Sequence, residues 1–240
     1  MTNQTIPIDQ VMYQGASIEV TLSSGETISG KFNGFLPTKD NTFIVVVNSD
    51  LEYDYVRDEN DNVYIIGKDK YKNCNIKIKK VLKTVKGSDL IGIRYEPLYD
   101  YFVSDKYHYI ISDKYVQDSG TTGTDIVHIA PFFGEDDYRV CKEQNIITDE
   151  DIVNLEPIDN NCVFNDKIKK YSGRLVFDVE TDIIKELKER HIHLKTQQIK
   201  HEYPFCYRTD TPLVYKVCKS FYVNVQKIKD RMIQLNLETN

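Results

Sequence analysis

The segment GTTGTDIVHIAPFFGEDDYRVC (120–141) concentrates the side chains of this sequence that could do chemistry. A short β-like run ends near His128, and a turn at Phe132-Phe133-Gly134 leads into three carboxylates, the last of them Asp137. A carboxylate held facing inward could pair with a ligand ammonium group, and the histidine could position a water or a reacting ester. Solvated acids in a helix first turn are the other interpretation. The residues alone leave both open.

Other chemical patterns are incomplete. The GTTGTD stretch (120–125) lacks the Gly-Lys-Thr ending of a phosphate-binding loop and the third glycine of a dinucleotide fingerprint. No Gly-x-Ser-x-Gly nucleophile elbow is present. His191 and His193 lie one residue apart without further ligands nearby in sequence. The five cysteines are scattered and form no CxxC pair, which predicts reduced structural thiols. We therefore expect neither a metal nor a cofactor.

The elements that must position these residues are mostly strands. SIEVTLSSGETISGKF predicts a hairpin around residues 23–26, and NTFIVVVN predicts a short buried strand. EYDYVRDENDNVYII predicts two strands joined at 58–62, and NIKIKKVLKTV alternates as a strand does. The tyrosine-rich stretches YEPLYDYF and KYHYIISDKY predict further strands.

Helical patterns are scarcer. EDDYRVCKEQN predicts a short helix with Glu135 and Asp136 in its first turn. TDIIKELKERH (181–191) predicts a second helix capped by Thr181 or Asp182, and KSFYVNVQKIKDRMIQLNLE predicts a strand followed by a helix. Without a linker or repeat, the pattern predicts one α+β domain, barrel-like, with helices outside.

Charge and hydropathy restrict the partners. A net charge of −6 argues against a generic grip on long nucleic acid. Residues 67–87 nevertheless hold eight lysines and a single acid, which indicates either a solvated strand face or a phosphate contact. No apolar run approaches the roughly 20 residues that span a bilayer, and no secretory signal is visible. We expect a cytoplasmic protein without a membrane partner.

Several motifs together resemble one family. GTDIVHIAPFFGEDDYRVC is similar to the Gly-Thr-Gly-(Ile/Val)-Val-His-x-Ala-Pro…Gly-Glu-Asp-Asp-Tyr motif of the editing domain of isoleucyl-tRNA synthetases, in wording like that of the eukaryotic branch. VKGSDLIGIRYEPLYDYF (85–102) and KHEYPFCYRTDTPLVYK (200–216) resemble two further motifs of that domain, in the same order. The resemblance covers residues 44–240 and leaves 1–43 as a divergent N-terminal β segment. It implies a single editing domain over 1–240, of α+β class, β-barrel-rich, with peripheral helices.

The resemblance implies an aminoacyl-tRNA deacylase: hydrolysis of valine wrongly attached to tRNA(Ile), as one domain of a class I isoleucine–tRNA ligase. The ATP-binding His-x-Gly-His and Lys-Met-Ser-Lys-Ser signatures are absent, so this chain alone should not activate amino acids. The implied partners are the 3′ acceptor end of tRNA(Ile) and, if the domain is excised from one, the rest of the synthetase; the chain itself is expected to be a monomer.

Residue roles follow from the same resemblance. His128 would line the hydrolytic site, and Asp137 would anchor the substrate's α-ammonium group. Gly123 and Thr124 would lie near the terminal adenosine. The other implied substrate-binding residues are Asp136, Thr38 and Thr42, and the lysine-rich segment is expected to contact the tRNA backbone through Lys77, Lys79, Lys80 and Lys83.

Two departures from the family pattern support a rival hypothesis. Asp125 stands where the family usually has glycine. The family's Thr-Thr-Thr-Pro-Trp-Thr-Leu-Pro motif is replaced by GFLPTKDNTFIVVVN, which keeps only Thr38 and Thr42 as threonines. The rival is a catalytically degenerate editing fold that binds tRNA, RNA or protein. GASIEVTLSSGETISGKFNGF also resembles the first motif of Sm-like barrels, but no second Sm motif follows.

Overall fold

One mixed sheet positions the site. The computed structural model describes residues 4–21, 27–36, 43–73, 77–95, 97–102, 104–120, 123–191 and 193–239. Within these ranges the sheet has nine strands. They are β1 (Gln4–Thr21), β2 (Thr27–Leu36), β3 (Ile44–Val47), β4 (Glu52–Asp58), β5 (Val63–Gly67), β6 (Ile78–Lys86), β7 (Ile110–Ser112), β8 (Val127–Ile129) and β9 (His193–Tyr203).

The predicted local pairings are confirmed. β4 and β5 form an antiparallel hairpin, and the Asp58 carboxylate closes its turn by accepting the Asn60 and Asn62 backbone N–H groups at 2.9 and 2.8 Å. β1 and β2 pair antiparallel up to Thr21 opposite Thr27. The predicted turn of that hairpin, residues 23–26, lies outside the described residues.

The sheet is open. Its main path runs β6-β4-β5-β2-β8-β3-β7, with β1 attached to β2 and β9 attached to β1. Among the described strands β6 pairs only with β4, and β7 only with β3, so no closed barrel forms. The α+β class is confirmed, whereas the barrel-like closure is not found.

The run IVVV of β3 is buried on both sides. Val45 and Val47 enter a core cluster with Tyr53, Tyr55 and Ile110. Ile44 and Val46 enter a second cluster that includes Val140 and Cys141 of a helix. A strand covered on both faces reads as a continuous apolar run rather than an alternating one. β3 therefore ties the sheet to the helical side of the molecule.

In the described ranges four α-helices lie outside the sheet: α1 (Glu135–Glu143), α2 (Asp151–Asn154), α3 (Glu180–Glu189) and α4 (Val225–Thr239). Helix α1 has the predicted Glu135 and Asp136 in its first turn. Helix α3 begins after Val179, so the predicted caps Thr181 and Asp182 were wrong and lie inside the helix. Asp182 instead pairs with Arg174 at 2.6 Å. In the part of the chain that the structure describes, no helix is long and apolar enough to cross a membrane.

Three predicted strands were wrong or too long. The described residues of YEPLYDYF form no strand, because Pro97 has no N–H for a sheet ladder. Arg94, just before this stretch, makes an isolated bridge to Tyr109. KYHYIISDKY shrinks to β7, because His108 takes a positive φ of 64° that interrupts extended backbone. The segment 219–224 before α4 is exposed and irregular.

Tyr53 links β4 to the turn before β8. Its hydroxyl donates to the Asp125 carbonyl and accepts the Asn48 N–H, both at 2.9 Å. We predict that Tyr53→Phe lowers the free energy of unfolding by about 1–3 kcal/mol, because two backbone groups lose their partner. Tyr55→Phe on the same strand is the control, and urea unfolding is the measurement. Equal losses in the two variants would contradict this role.

Candidate active site

His128 occupies the middle of β8 and is 5% exposed. Its backbone is fixed by antiparallel pairing with Val45 of β3, and β2 joins β8 at the neighbouring residue. Burial lowers the pKa of His128 to about 4, so the ring is neutral at physiological pH. Its Nδ1 has no hydrogen-bond partner among the described residues, and the Tyr95 ring centroid lies 6.3 Å from its own. A neutral imidazole with a free nitrogen can bind a water or a substrate oxygen.

Asp137 is brought to the same end of β8 by helix α1. The helix begins after Gly134, and the Asp137 carboxylate bends back so that Oδ2 accepts the Ala130 N–H at 3.0 Å. A Cβ at Gly134 would lie 2.9 Å from the Asp137 Cγ, so only glycine allows this close approach. Because Ala130 is two residues beyond His128, one hydrogen bond ties the acid to the strand that carries the histidine.

The Asp137 carboxylate has no cationic partner among the residues that the structure describes. No ion pair involves it among the described residues, and the nearby Asp136 adds repulsion. Burial raises its pKa to about 6, although the Ala130 N–H acts in the opposite direction. A partly buried charge without a partner is costly, and such groups concentrate at binding sites. The arrangement suits a ligand that brings its own positive charge.

The neighbouring Asp136 makes a surface ion pair, unlike Asp137. Its carboxylate pairs with Arg139 at 3.2 Å on the outer side of α1, and Arg139 also binds Asp113 and Glu143. Two adjacent acids therefore have separate environments, one in a surface ion-pair network and one partly buried. The structure bonds the Asp137 carboxylate to the backbone two residues beyond His128, whereas the Asp136 carboxylate pairs with Arg139.

Further polar groups near the site were missed from the sequence. Tyr95 lies between two histidines, with ring centroids 5.9 Å from His108 and 6.3 Å from His128. Burial, and secondarily the charge of Asp137, raises the pKa of Tyr115. Buried polar atoms normally have partners, yet in the described part of the chain the Tyr95 and Tyr115 hydroxyls and His108 Nδ1 have none. Tyr95 lies in a predicted strand and in a family-like motif, but no role in the site was predicted for it from the sequence.

The turn before β8 contains the residue that departs from the family pattern. Gly123 has a φ of 83° and Asp125 a φ of 58°. Aspartate is among the few non-glycine residues that tolerate this left-handed conformation, so the turn persists without the family's glycine. Thr124 is buried, and its hydroxyl donates to the Ile126 carbonyl at 3.3 Å.

The predicted lysines separate into two groups. Lys77 and Lys79 pair with Glu59 and Asp61 at 3.9 and 3.2 Å. Lys80 and Lys83 are exposed on the edge strand β6 and have no ion pair in the described ranges. The remaining predicted residues, Thr38 and Thr42, lie outside the described residues. Among the residues with described positions, no group of three His, Cys, Asp or Glu side chains is arranged to hold a metal.

Solved structures define the class. A leucyl-tRNA synthetase CP1 structure, GlLeuRS-CP1, matches with a TM-score of 0.55 and 13% identity over 77% of this chain and 99% of that one. The P. knowlesi cytosolic leucyl-tRNA synthetase editing domain matches with a TM-score of 0.51 and 12% identity over 80% and 96%. This chain has the fold of the CP1 editing domain of class I aminoacyl-tRNA synthetases.

Sequence similarity links the chain to isoleucine–tRNA ligases. The isoleucine–tRNA ligase of Rickettsia akari (strain Hartford) is 40% identical over 209 residues, or 85% of this chain. That of Rickettsia prowazekii (strain Madrid E) is 41% identical over 202 residues, or 82%. The chain spans 18% of the length of either relative. No family model matches the chain. The chain is therefore similar in sequence to one part of isoleucine–tRNA ligases and similar in fold to CP1 editing domains.

A charge held for a ligand should cost stability. The folded pKa of Asp137, about 6, exceeds its ordinary 3.8, so its stabilising contribution is present at pH 3–4 and lost as pH rises through 6. We predict that Asp137→Asn is more stable than wild type by about 1–2 kcal/mol at pH 8, with the gain vanishing toward pH 4. Unfolding at both pH values tests this.

Asp136→Asn is the matched control, because it removes the neighbouring acid from an exposed ion pair and should change stability by at most about 1 kcal/mol. A loss of stability in Asp137→Asn at pH 8 would show that the carboxylate is structural.

Proposed function

We propose that this chain hydrolyses mischarged aminoacyl-tRNA, removing valine from tRNA(Ile), as the editing domain of an isoleucyl-tRNA synthetase. The observation that supports this most directly is the partly buried Asp137 carboxylate, which pairs with no described cation and accepts the N–H of Ala130, two residues beyond His128. The ester substrate offers an α-ammonium group next to the bond to be broken.

In this proposal each residue has its own step. Asp137 pairs with the α-ammonium group, and the Ala130 N–H keeps the carboxylate in place while it does so. This pairing sets the ester carbonyl relative to His128. A water bound by the neutral imidazole attacks the carbonyl carbon, and the bond to the ribose oxygen breaks. That oxygen takes up the proton that the attacking water loses, and free valine and tRNA are released.

His128 acts in this scheme by orientation more than by carrying a proton. With a pKa of about 4 it remains neutral over the working range, and it is a weak base. The scaffold suits orientation, because β8 is paired on both sides and cannot shift without breaking the sheet. Correct placement of reacting groups is itself a large source of rate.

Selectivity explains why such a domain is needed. A hydrophobic pocket separates isoleucine from valine by only about 1–3 kcal/mol. A second, smaller hydrolytic site removes the valine that escapes the first. Thr38 and Thr42 remain our proposal for part of the wall that excludes isoleucine, and Gly123 and Thr124 for contact with the terminal adenosine.

The setting belongs to the same proposal. We infer a single editing domain over 1–240, with a divergent β segment at 1–43 and the family-like part at 44–240. It would act in the cytoplasm as a monomeric unit on the 3′ acceptor end of tRNA(Ile), alongside the rest of a synthetase.

Deacylation of Val-tRNA(Ile) tests the proposal. Wild type should release valine and spare Ile-tRNA(Ile). Asp137→Asn should lower kcat/KM by about 10- to 100-fold, the equivalent of losing one charge-assisted hydrogen bond. Asp136→Asn should stay close to wild type. Binding of tRNA without deacylation, unchanged in Asp137→Asn, would favour the degenerate binding module instead.

The pH profile gives a separate prediction. Protonated Asp137 cannot pair with a cation, so kcat/KM should fall as pH drops through about 6, the pKa of Asp137. Above about 8 the substrate's α-ammonium group loses its own proton, which predicts a second limb. A profile flat from pH 7 to pH 5 would contradict the ammonium-anchoring role.

Backbone contact with tRNA is proposed at the outer edge of the sheet. Lys80 lies directly opposite Arg57 of β4, and Lys83 opposite Tyr55, so the three basic side chains share one face. Like charges opposite one another on a sheet are unfavourable alone, whereas a phosphate between them removes the repulsion. Lys77 and Lys79 already have acidic partners.

Salt-dependent tRNA binding separates the two lysine groups. Replacing Arg57, Lys80 and Lys83 with alanine should weaken binding and reduce the slope of log affinity against log salt by up to about 0.9 per lost phosphate contact. Replacing Lys77 and Lys79 with alanine should change the slope less. The reverse order would assign the contact to the paired lysines.

A further inference from the structure

A buried lysine from outside the site reaches the turn before β8. Lys70 begins a 3-10 helix, Lys70–Asn73, after strand β5. Its ammonium group binds the Asp118 carboxylate, donates to the Gly120 carbonyl at 2.6 Å and lies 3.5 Å from Asp125 Oδ2. The side chains of Lys70 and Asp125 are only 8% and 5% exposed. One cation therefore joins Asp118 and Gly120 to Asp125.

Asp125 completes the contact from the other side. Its Oδ1 accepts the backbone N–H and the hydroxyl of Ser119, at 2.9 and 2.6 Å. Asp125 has a left-handed backbone conformation. The carbonyl of the preceding residue, Thr124, accepts the Gly67 N–H at 2.8 Å. A Cβ at Gly67 would lie 2.6 Å from Asp125 Oδ2, so the end of β5 packs closely against the turn.

Charge balance indicates that Lys70 and Asp125 work as a unit. Burial alone would lower the pKa of Lys70, but its bonds to Asp118 and Asp125 outweigh burial and raise it. Without Lys70, the Asp125 carboxylate would remain buried with only the neutral donors of Ser119. Lys72 on the same 3-10 helix differs, since its side chain is 63% exposed and pairs with Asp69.

We propose that Lys70 is a positioning residue, which with Asp125 and Asp118 holds the Gly123–Thr124 turn in the shape that receives the 3′-terminal nucleoside of the substrate. This inference rests on the proposed function. His128 is fixed separately by the pairing of β8 with β3 and β2. Lys70 therefore governs substrate binding at the turn rather than the chemical step at His128.

Kinetics of Val-tRNA(Ile) deacylation separate these effects. Lys70→Met should raise KM at least tenfold and change kcat less than threefold. Lys72→Met, the matched surface control, should leave both constants unchanged. Asp118→Asn, an exposed position that should not disturb folding, should raise KM to a smaller extent. An equal fall in kcat, or an unchanged KM, in Lys70→Met would overturn the assignment.

A compensating variant guards against simple misfolding. Glycine fits the positive φ of residue 125, and Asp125→Gly removes the charge that Lys70→Met would strand. The double variant Lys70→Met/Asp125→Gly should therefore have a higher Tm than Lys70→Met alone, while KM stays high because the turn is still unclamped. A double variant no more stable than Lys70→Met would show that the two side chains are not coupled.

Amide hydrogen exchange tests, without any substrate, whether Lys70 holds the turn; we call this contact of Lys70 with Asp118 and Asp125 the clamp. In Lys70→Met the Ser119 and Gly67 amides, which bond to the turn, should exchange at least tenfold faster, and in Lys72→Met they should not. If wild type fails to deacylate Val-tRNA(Ile), the proposed function fails, and faster exchange still supports the clamp. Unchanged exchange overturns the clamp whatever the activity.

Discussion

The hydrogen bond from the Ala130 N–H to the Asp137 carboxylate is the contact on which the site depends. It joins the first turn of α1 to the residue after β8. Gly134 has no Cβ, which leaves room for the Asp137 carboxylate beside it. Val140 and Cys141 pack α1 into the same cluster as Ile44 and Val46 of β3. The position of the acid is therefore fixed by the packing of α1 into the core. A carboxylate fixed in this way remains available for a ligand cation.

Two neighbouring acids show how environment assigns roles. Asp136 forms a surface ion pair with Arg139, whereas Asp137 is partly buried and has a raised pKa. Chemically similar groups in contrasting environments are typical of catalytic and binding sites. The same contrast separates Lys70, buried in the turn, from Lys72, exposed on the same short helix. In both cases burial, and not residue type, distinguishes the side chain to which we assign a functional role.

Much of the scaffold could be predicted from local pattern. The run IVVV, the β4–β5 hairpin and α1 follow from periodicity and turn residues that agree with the final packing. YEPLYDYF could not be placed, because tyrosines suit strands and packed turns alike and the proline decided the outcome. Lys70 and Asp125 are distant in sequence, so no local pattern could have paired them; the positive φ of Asp125 explains a substitution that looked disruptive.

The ionisation of Asp137 tests the central claim most directly. Carboxyl carbon NMR can follow its titration in the free chain and with a non-hydrolysable amide analogue, 3′-valylamino-3′-deoxyadenosine. We predict a pKa of about 6 in the free chain, falling toward the ordinary value when the ammonium group of the analogue binds. A free pKa already near 3.8, or a raised pKa unchanged by the saturating analogue, would contradict an acid held ready for the substrate's charge.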